Sequence, residues 1–234
     1  MFTRKSIRKY AGIPLTAEQT NAIRAAIDRL KPLLPEEPYE LRLEATKESG
    51  VSRIYGYCAN TAAGNVNLGF VLQQLDLTLH TLGIGRLWFG MGRDPKDGEP
   101  PAGLSYAMCL KAAIPGEPLA RQSLAEFDRK PISEVISAAN WQPVLEAVRL
   151  APSATNSQPW FFAAEGDVLC AYCRQLGFLK AKILGRMNQI DMGIGLCHLV
   201  LSLEHAGKSV AGWNFQPRQA PAGYYSVASI QMTA

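Results

Sequence analysis

The chain has 234 residues, 47% hydrophobic and 19% charged, which suits one large globular domain or two small ones with ample core. Its net charge of +4 is spread over both ends and the middle without a run of five or six like charges, which argues against a nucleic-acid partner and is compatible with a phosphate-bearing ligand. No apolar run is long enough for a bilayer, no secretory pattern follows Met1, and five cysteines are an odd number in a chain too large to need staples. The expectation is a soluble, cytoplasmic protein with reduced thiols and no membrane partner.

Residues 4–10, Arg4-Lys-Ser-Ile-Arg-Lys-Tyr10, are basic and alternate poorly; on chemistry alone they read as a solvated helix start. Thr16-Ala-Glu-Gln19 has the spacing of a capping box, and Ile23, Ala26, Ile27 and Leu30 continue a helix from it. The prolines of 31–38 end that helix, and Tyr39-Glu-Leu-Arg-Leu-Glu44 alternates as a strand with one wet face. Asn60 to Asn67 reads as a polar loop, and Gly69 to Leu82 as a buried helix stopped by Gly83 and Gly85. Leu87 to Met91 follows, then an exposed loop at 94–101 and a central strand from Tyr106 to Ile114.

In the second half, Ile132 to Ala139 and Trp141 to Leu150 read as helical segments, the latter ended by Pro152. Ala151-Pro-Ser-Ala-Thr-Asn-Ser-Gln-Pro-Trp160 then places five hydrogen-bonding side chains in six positions before an aromatic strand. Such groups bond a turn or a ligand. Val168 to Tyr172 reads as a strand, so Cys170 and Cys173 lack the helix N-terminus that a redox pair of this spacing uses. Met187 to Asp191 leads into a helix from Gly193 to Ala206, and Tyr224 to Met232 is a last strand. His198 and His205 share a helix face but lack acids for a metal site; packing is the expected role, and no metal is expected.

The halves echo each other. A shift of 124 sets Gly69, Leu72, Leu75, Leu79 and Gly83 on Gly193, Leu196, Leu199, Leu203 and Gly207. A shift of 125 sets Arg4-Lys5-x-Ile7 on Arg129-Lys130-x-Ile132. Half one lacks the polar loop, having Ile27 to Pro35 there, and half two has Pro131 at the place of Ser6.

The motifs Ala-Pro-Ser-x-x-Asn-x-Gln-Pro-Trp and Arg-Lys-Ser-Ile-Arg-Lys-Tyr together resemble the signatures of the FMN-dependent nitroreductase family, with lysine for the second arginine of the basic motif. The resemblance implies an α+β fold, a central, mostly antiparallel sheet with flanking helices. It implies that residues 1–234 form a single nitroreductase-like domain whose half-repeats, about 1–125 and 126–234, are related by a pseudo-twofold and mimic the family homodimer. A fused pair of this kind is expected to be a monomer with one FMN, its counterpart site lost, and the helices 69–82 and 193–206 at its core.

The same resemblance assigns Arg4, Lys5 and Ser6 to the phosphate and ribityl end of FMN, and Arg8 to the N1/O2 edge, where charge develops on reduction. It assigns Arg129 and Lys130 to closing on the phosphate. Pro152, Ser153, Asn156 and Gln158 would hold the ring or ribityl, with Gln158 orienting the others. Phe89 and Gly90 would pass the N5 edge, and Trp88, Phe89 or Tyr10 would line the substrate face. No side chain need act as nucleophile or base, since the flavin carries the hydride. The implied activity is an NADH- or NADPH-dependent reductase of a nitroaromatic, quinone or similar flat acceptor, turning over by alternation. The alternative is a non-catalytic scaffold, flavin-binding or flavin-free. Ile114-Pro-Gly116 departs from the family's usual Gly-x-Pro, so the phosphate-closing loop is expected to be reshaped.

Overall fold

A computed structural model describes residues 1–90, 99–137 and 139–232. Met91 and residues 94–98 of the expected exposed loop lie outside the described residues. Contacts divide the chain into two compact units, residues 2–126 and the part from Phe127 onward.

The first unit contains α1 (Ala17–Ile27), β1 (Tyr39–Ala45), β2 (Val51–Cys58), α2 (Ala62–Thr81), β3 (Gly85–Trp88) and β4 (Ser105–Ala113). Its strands form an antiparallel sheet in the order β1-β2-β4-β3. The second unit contains α3 (Gln142–Arg149), β5 (Trp160–Glu165), β6 (Val168–Arg174), α4 (Phe178–His205), β7 (Val210–Asn214) and β8 (Tyr224–Met232). Its sheet is again antiparallel, ordered β5-β6-β8-β7. Each unit runs helix, two strands, long helix, two strands. Each also has a register break in its central strand pair, at Gly56/Tyr57 and at Ala171/Tyr172. The expected single central sheet is therefore corrected to two four-stranded sheets. The cause is local: β1–β2 and β5–β6 pair with their sequence neighbours, and each sheet is completed by strands of its own half.

Thr16 caps α1 with both bonds of the capping box, and Asp28 ends that helix just after Ile27 rather than after Leu30. α2 begins seven residues before Gly69. Thr61 caps it by accepting from the Gly64 amide, and the expected Asn60–Asn67 loop is mostly helix. Its asparagines are buried because they have partners: Asn67 Oδ1 accepts from the Leu33 and Leu34 amides at 2.9 and 3.0 Å, and its Nδ2 donates to the Glu37 carbonyl at 2.9 Å. One side chain thus fastens the proline-rich 31–38 segment to α2. Gly83, at φ 74°, ends the helix, whereas Gly85 belongs to β3. A Cβ there would meet the Ala113 carbonyl oxygen at 3.1 Å and Ile7 at 3.2 Å.

α4 starts fifteen residues before Gly193. Phe178, Leu179 and Ile183 in its first turns are exposed, so no core-facing stripe marks that part of the helix. Among its described residues, the Ile132–Ala139 segment forms short 3-10 turns, at Ile132–Glu134 and from Ala139 to Trp141, rather than an α-helix. Residues 135–137 instead run beside β5, with Phe162 donating to the Val135 carbonyl at 2.7 Å and Ser137 to the Phe162 carbonyl at 3.2 Å. β2 and β7 have no counterpart in the sequence expectations. Among the described residues, no helix is long and apolar enough to cross a membrane.

Candidate functional site

The polar loop after α3 is held in a conformation that its sequence does not favour. Thr155, Asn156 and Gln158 have φ of 52°, 58° and 46°, in the left-handed region that L-residues avoid. For the β-branched Thr155 this is a strained position. The surrounding bonds show how it persists. Asp191, inside α4, accepts the Ala154 amide with both carboxylate oxygens at 3.0 and 3.1 Å and the Ser157 hydroxyl at 3.4 Å. Ser153 Oγ accepts the Gln158 amide at 2.9 Å. The buried Gln158 accepts the Lys130 amide at 2.8 Å and donates to the Asn156 carbonyl at 3.1 Å.

Two cations are locked onto this loop. Arg129 donates to Asn156 Oδ1 at 2.7 Å and, through Nε and Nη2, to the Ala151 and Leu150 carbonyls at 3.2 and 3.3 Å. Those carbonyls close the C-terminal end of α3, where a cation is favoured. Lys130 Nζ donates to the Ser157 and Gln158 carbonyls at 2.8 and 3.0 Å. Asn156 Nδ2 donates to the Asp128 carbonyl at 2.9 Å. Burial, and then the charge of Arg174, pull the Lys130 ammonium below its ordinary pKa. Arg129, Lys130, Ser153, Asn156 and Gln158 therefore form one hydrogen-bonded cluster, with Pro152 buried beside them.

Sequence reading missed Asp191. Its carboxyl is pushed from 3.8 up to about 7, chiefly by burial, while the Ala154 amide and Ser157 hydroxyl pull the other way. A lone acid between Ile190 and Met192 was the available signal.

The N-terminal motif lies in the first unit, and two of its four cations, Arg4 and Lys5, are already paired there. Arg4 is 2% exposed and grips Asp76 through Nε at 2.6 Å and Nη2 at 2.9 Å. Its Nη1 reaches Ser6 Oγ at 3.4 Å. Lys5 Nζ donates to Glu117 at 2.9 Å, and the same carboxylate accepts the Arg8 and Lys9 amides at 2.7 and 3.1 Å. Two successive amides plus an ammonium make an anion seat, here filled by the protein's own side chain. The Arg8 amide, Lys5 and the Lys9 amide accordingly hold the Glu117 carboxyl down at about 2. Arg8 itself is exposed, and its guanidinium makes no hydrogen bond among the described residues.

Phe89 follows β3, and its amide donates to the Cys109 carbonyl at 2.8 Å. Lys111 and Arg53 lie over its ring at 4.7 and 5.4 Å from the centroid. Gly90 is the exposed residue after it. Trp88 and Tyr10 are half-buried, and burial raises the Tyr10 phenol to about 12. Cys170 and Cys173 stand three apart on β6 and so face opposite sides of the sheet, both buried and free. Burial pushes the Cys173 thiol up to about 12, the reverse of what a redox thiol needs. His198 Nδ1 bonds the Ala147 carbonyl at 2.7 Å, fastening α4 to α3.

Comparison with known proteins shows the family of the chain. A solved structure of a putative nitroreductase from Thermotoga maritima is 20% identical, with a TM-score of 0.65, over 98% of this chain and 90% of that one. It shares the fold. A putative NADH dehydrogenase/NAD(P)H nitroreductase from Parabacteroides distasonis is 14% identical over 60% of this chain and 95% of that one, with a TM-score of 0.48. An FMN-dependent nitroreductase from Clostridium difficile is 15% identical over 55% and 95%, with a TM-score of 0.41. No curated protein matches significantly. The family model described as "Putative TM nitroreductase" matches residues 1–203, and the chain belongs to that family.

Proposed function

We propose that the chain is an FMN-dependent oxidoreductase that takes a hydride from NADH or NADPH and passes it to a flat, electron-poor acceptor in alternating turnover, with one FMN per chain. Family membership supports the oxidoreductase class. The observation that carries the flavin reading is the cationic cluster on the strained loop. Lys130 meets carbonyls rather than a carboxylate, so its charge remains available to a phosphate. The residues therefore fit a phosphate-bearing cofactor.

In this reading Arg129 and Lys130 hold the phosphate. The Ser153 hydroxyl accepts the Gln158 amide and keeps its own proton for a ligand acceptor. Asn156 is oriented from both ends by Arg129 and the Asp128 carbonyl, and Gln158 and Asp191 keep the loop in shape. Of the N-terminal motif, Arg8 has an exposed guanidinium available to the same ligand. Bound FMN supplies the hydride chemistry; these residues supply binding, orientation and charge. The matching strand order of the two units supports a duplicated chain, which we propose acts as a monomer.

A flavin-free scaffold is the second reading. The Arg4–Asp76 and Lys5–Glu117 pairs favour it, because they remove two expected phosphate contacts. Equilibration with FMN followed by NAD(P)H under argon separates the two. A retained flavin that bleaches supports the enzyme, and a colourless protein supports the scaffold.

A further inference from the structure

Arg86 presents an unresolved charge in the first unit. It sits on β3 opposite Ala112 of β4, and its own carbonyl accepts the Ile7 amide at 2.9 Å. The side chain is 0% exposed, and Nε, Nη1 and Nη2 all lack a hydrogen-bond partner. A buried guanidinium without an acceptor forfeits several kcal/mol of hydration. Its surroundings do not repair this. Asp76 is the nearby carboxylate, and both its oxygens already bond Arg4. Arg121 brings another guanidinium, donating to the Arg4 carbonyl, while its amide donates to Thr3 at 2.8 Å.

His80 lies one turn beyond Asp76 on α2. Thr3 Oγ meets its Nε2 at 3.1 Å, and Nδ1 is buried without a partner. Burial and then the Arg86 charge lower its pKa to about 4, so it is neutral, and with the Thr3 hydroxyl donating to Nε2 its Nδ1 carries the proton. Burial likewise lowers Arg86 to about 10, with Asp76 opposing and Arg4 and Arg121 adding to the effect. Arg86 remains protonated at neutral pH. Among the described residues, the buried Arg4 and Arg86 face one buried carboxylate, Asp76, which leaves one buried positive charge uncompensated, with the partly exposed Arg121 beside them.

We propose that Arg86 forms, with Arg4 and His80 beside it, a buried site for a small inorganic monoanion of halide size. One missing charge calls for a monoanion. Full burial excludes an organic phosphate, so this site is separate from the flavin reading and does not depend on it. The anion would accept from the guanidinium and complete the cluster beneath the N-terminal segment.

The test is the melting temperature of the full chain as sodium chloride replaces sodium gluconate at fixed total sodium. Each tenfold rise in chloride above its dissociation constant should raise Tm by roughly 3–5 °C in a chain of this size. Arg86→Met, of similar length and uncharged, should fold and lose that dependence. Crystals of the unaltered chain soaked in bromide should show anomalous density within hydrogen-bond distance of the Arg86 guanidinium. A Tm insensitive to chloride, an equal response in Arg86→Met, or no bromide at Arg86 would each overturn the proposal.

Discussion

Arg4 and Asp76 form a doubly bonded, buried ion pair, at 2.6 and 2.9 Å, between the N-terminal segment and α2. The first arginine of the basic motif therefore acts in the interior of its unit. Breaking a buried pair leaves an unpaired charge, which costs about 3–5 kcal/mol. The cost should be unequal between the partners. When Arg4 is lost, the charge of Arg86 still faces Asp76; when Asp76 is lost, Arg4 loses its acceptor beside Arg86, which already has none. Urea denaturation should show Asp76→Asn less stable than Arg4→Met by more than about 1 kcal/mol. Equal losses would contradict this ordering.

Asp191 makes stability depend on pH. Its folded pKa, about 7, stands above the ordinary 3.8, so the folded state binds its proton more tightly than the unfolded state. Its contribution is fully present below about pH 4 and is lost as pH rises through 7. At about 1.4 kcal/mol per pH unit the loss is roughly 4 kcal/mol. Asp191→Asn retains an acceptor for the Ala154 amide and should flatten stability between pH 4 and 7. An unchanged slope would show that the carboxyl titrates normally.

Glu117 acts in the opposite sense. Its folded pKa of about 2 lies below the ordinary 4.5, so the stability it provides is present above 4.5 and lost as pH falls toward 2. Glu117→Gln should weaken the acid dependence in that window. An acid limb identical to that of the unaltered chain would count against the seat formed by Lys5 and the Arg8 and Lys9 amides.

Thr155 bears left-handed strain on an exposed side chain. Thr155→Gly should relieve it and stabilise the chain by about 1 kcal/mol, despite the larger unfolded-state entropy of glycine. A thermal scan that shows destabilisation would mean the threonine hydroxyl, which bonds the Ala154 carbonyl at 2.7 Å, matters more than the strain.

Removal of both cations from the loop, Arg129→Ala with Lys130→Ala, should weaken FMN by roughly a hundred- to ten-thousand-fold. Fluorescence titration of FMN measures this. Equal affinity would remove the phosphate assignment.

Much of the architecture was legible in residue pattern. Tyr224–Met232 and the Thr16 cap stand where alternation and capping chemistry put them, because their signals are local. The first turns of α2 and α4 were not legible, for opposite reasons. Asn65 and Asn67 look like loop residues until the segments they bond are known, and Phe178 to Ile183 expose apolar side chains that give no stripe. In the candidate site the polar loop stood out by composition. Gln158 stood out with it, but Asp191, which also shapes the loop, acts through a bond across dozens of positions, from Ala154 to Asp191. Charge pairing was equally hidden, since Asp76 and Glu117 lie far along the chain from Arg4 and Lys5.

The proposed function requires one FMN per chain. Its most direct test is the FMN-to-protein ratio after equilibration with excess FMN and removal of the unbound part, read from the absorbance of released flavin. The expected ratio is near one. A ratio near zero would contradict the flavin reading and leave the scaffold, and a ratio near two would contradict the single site.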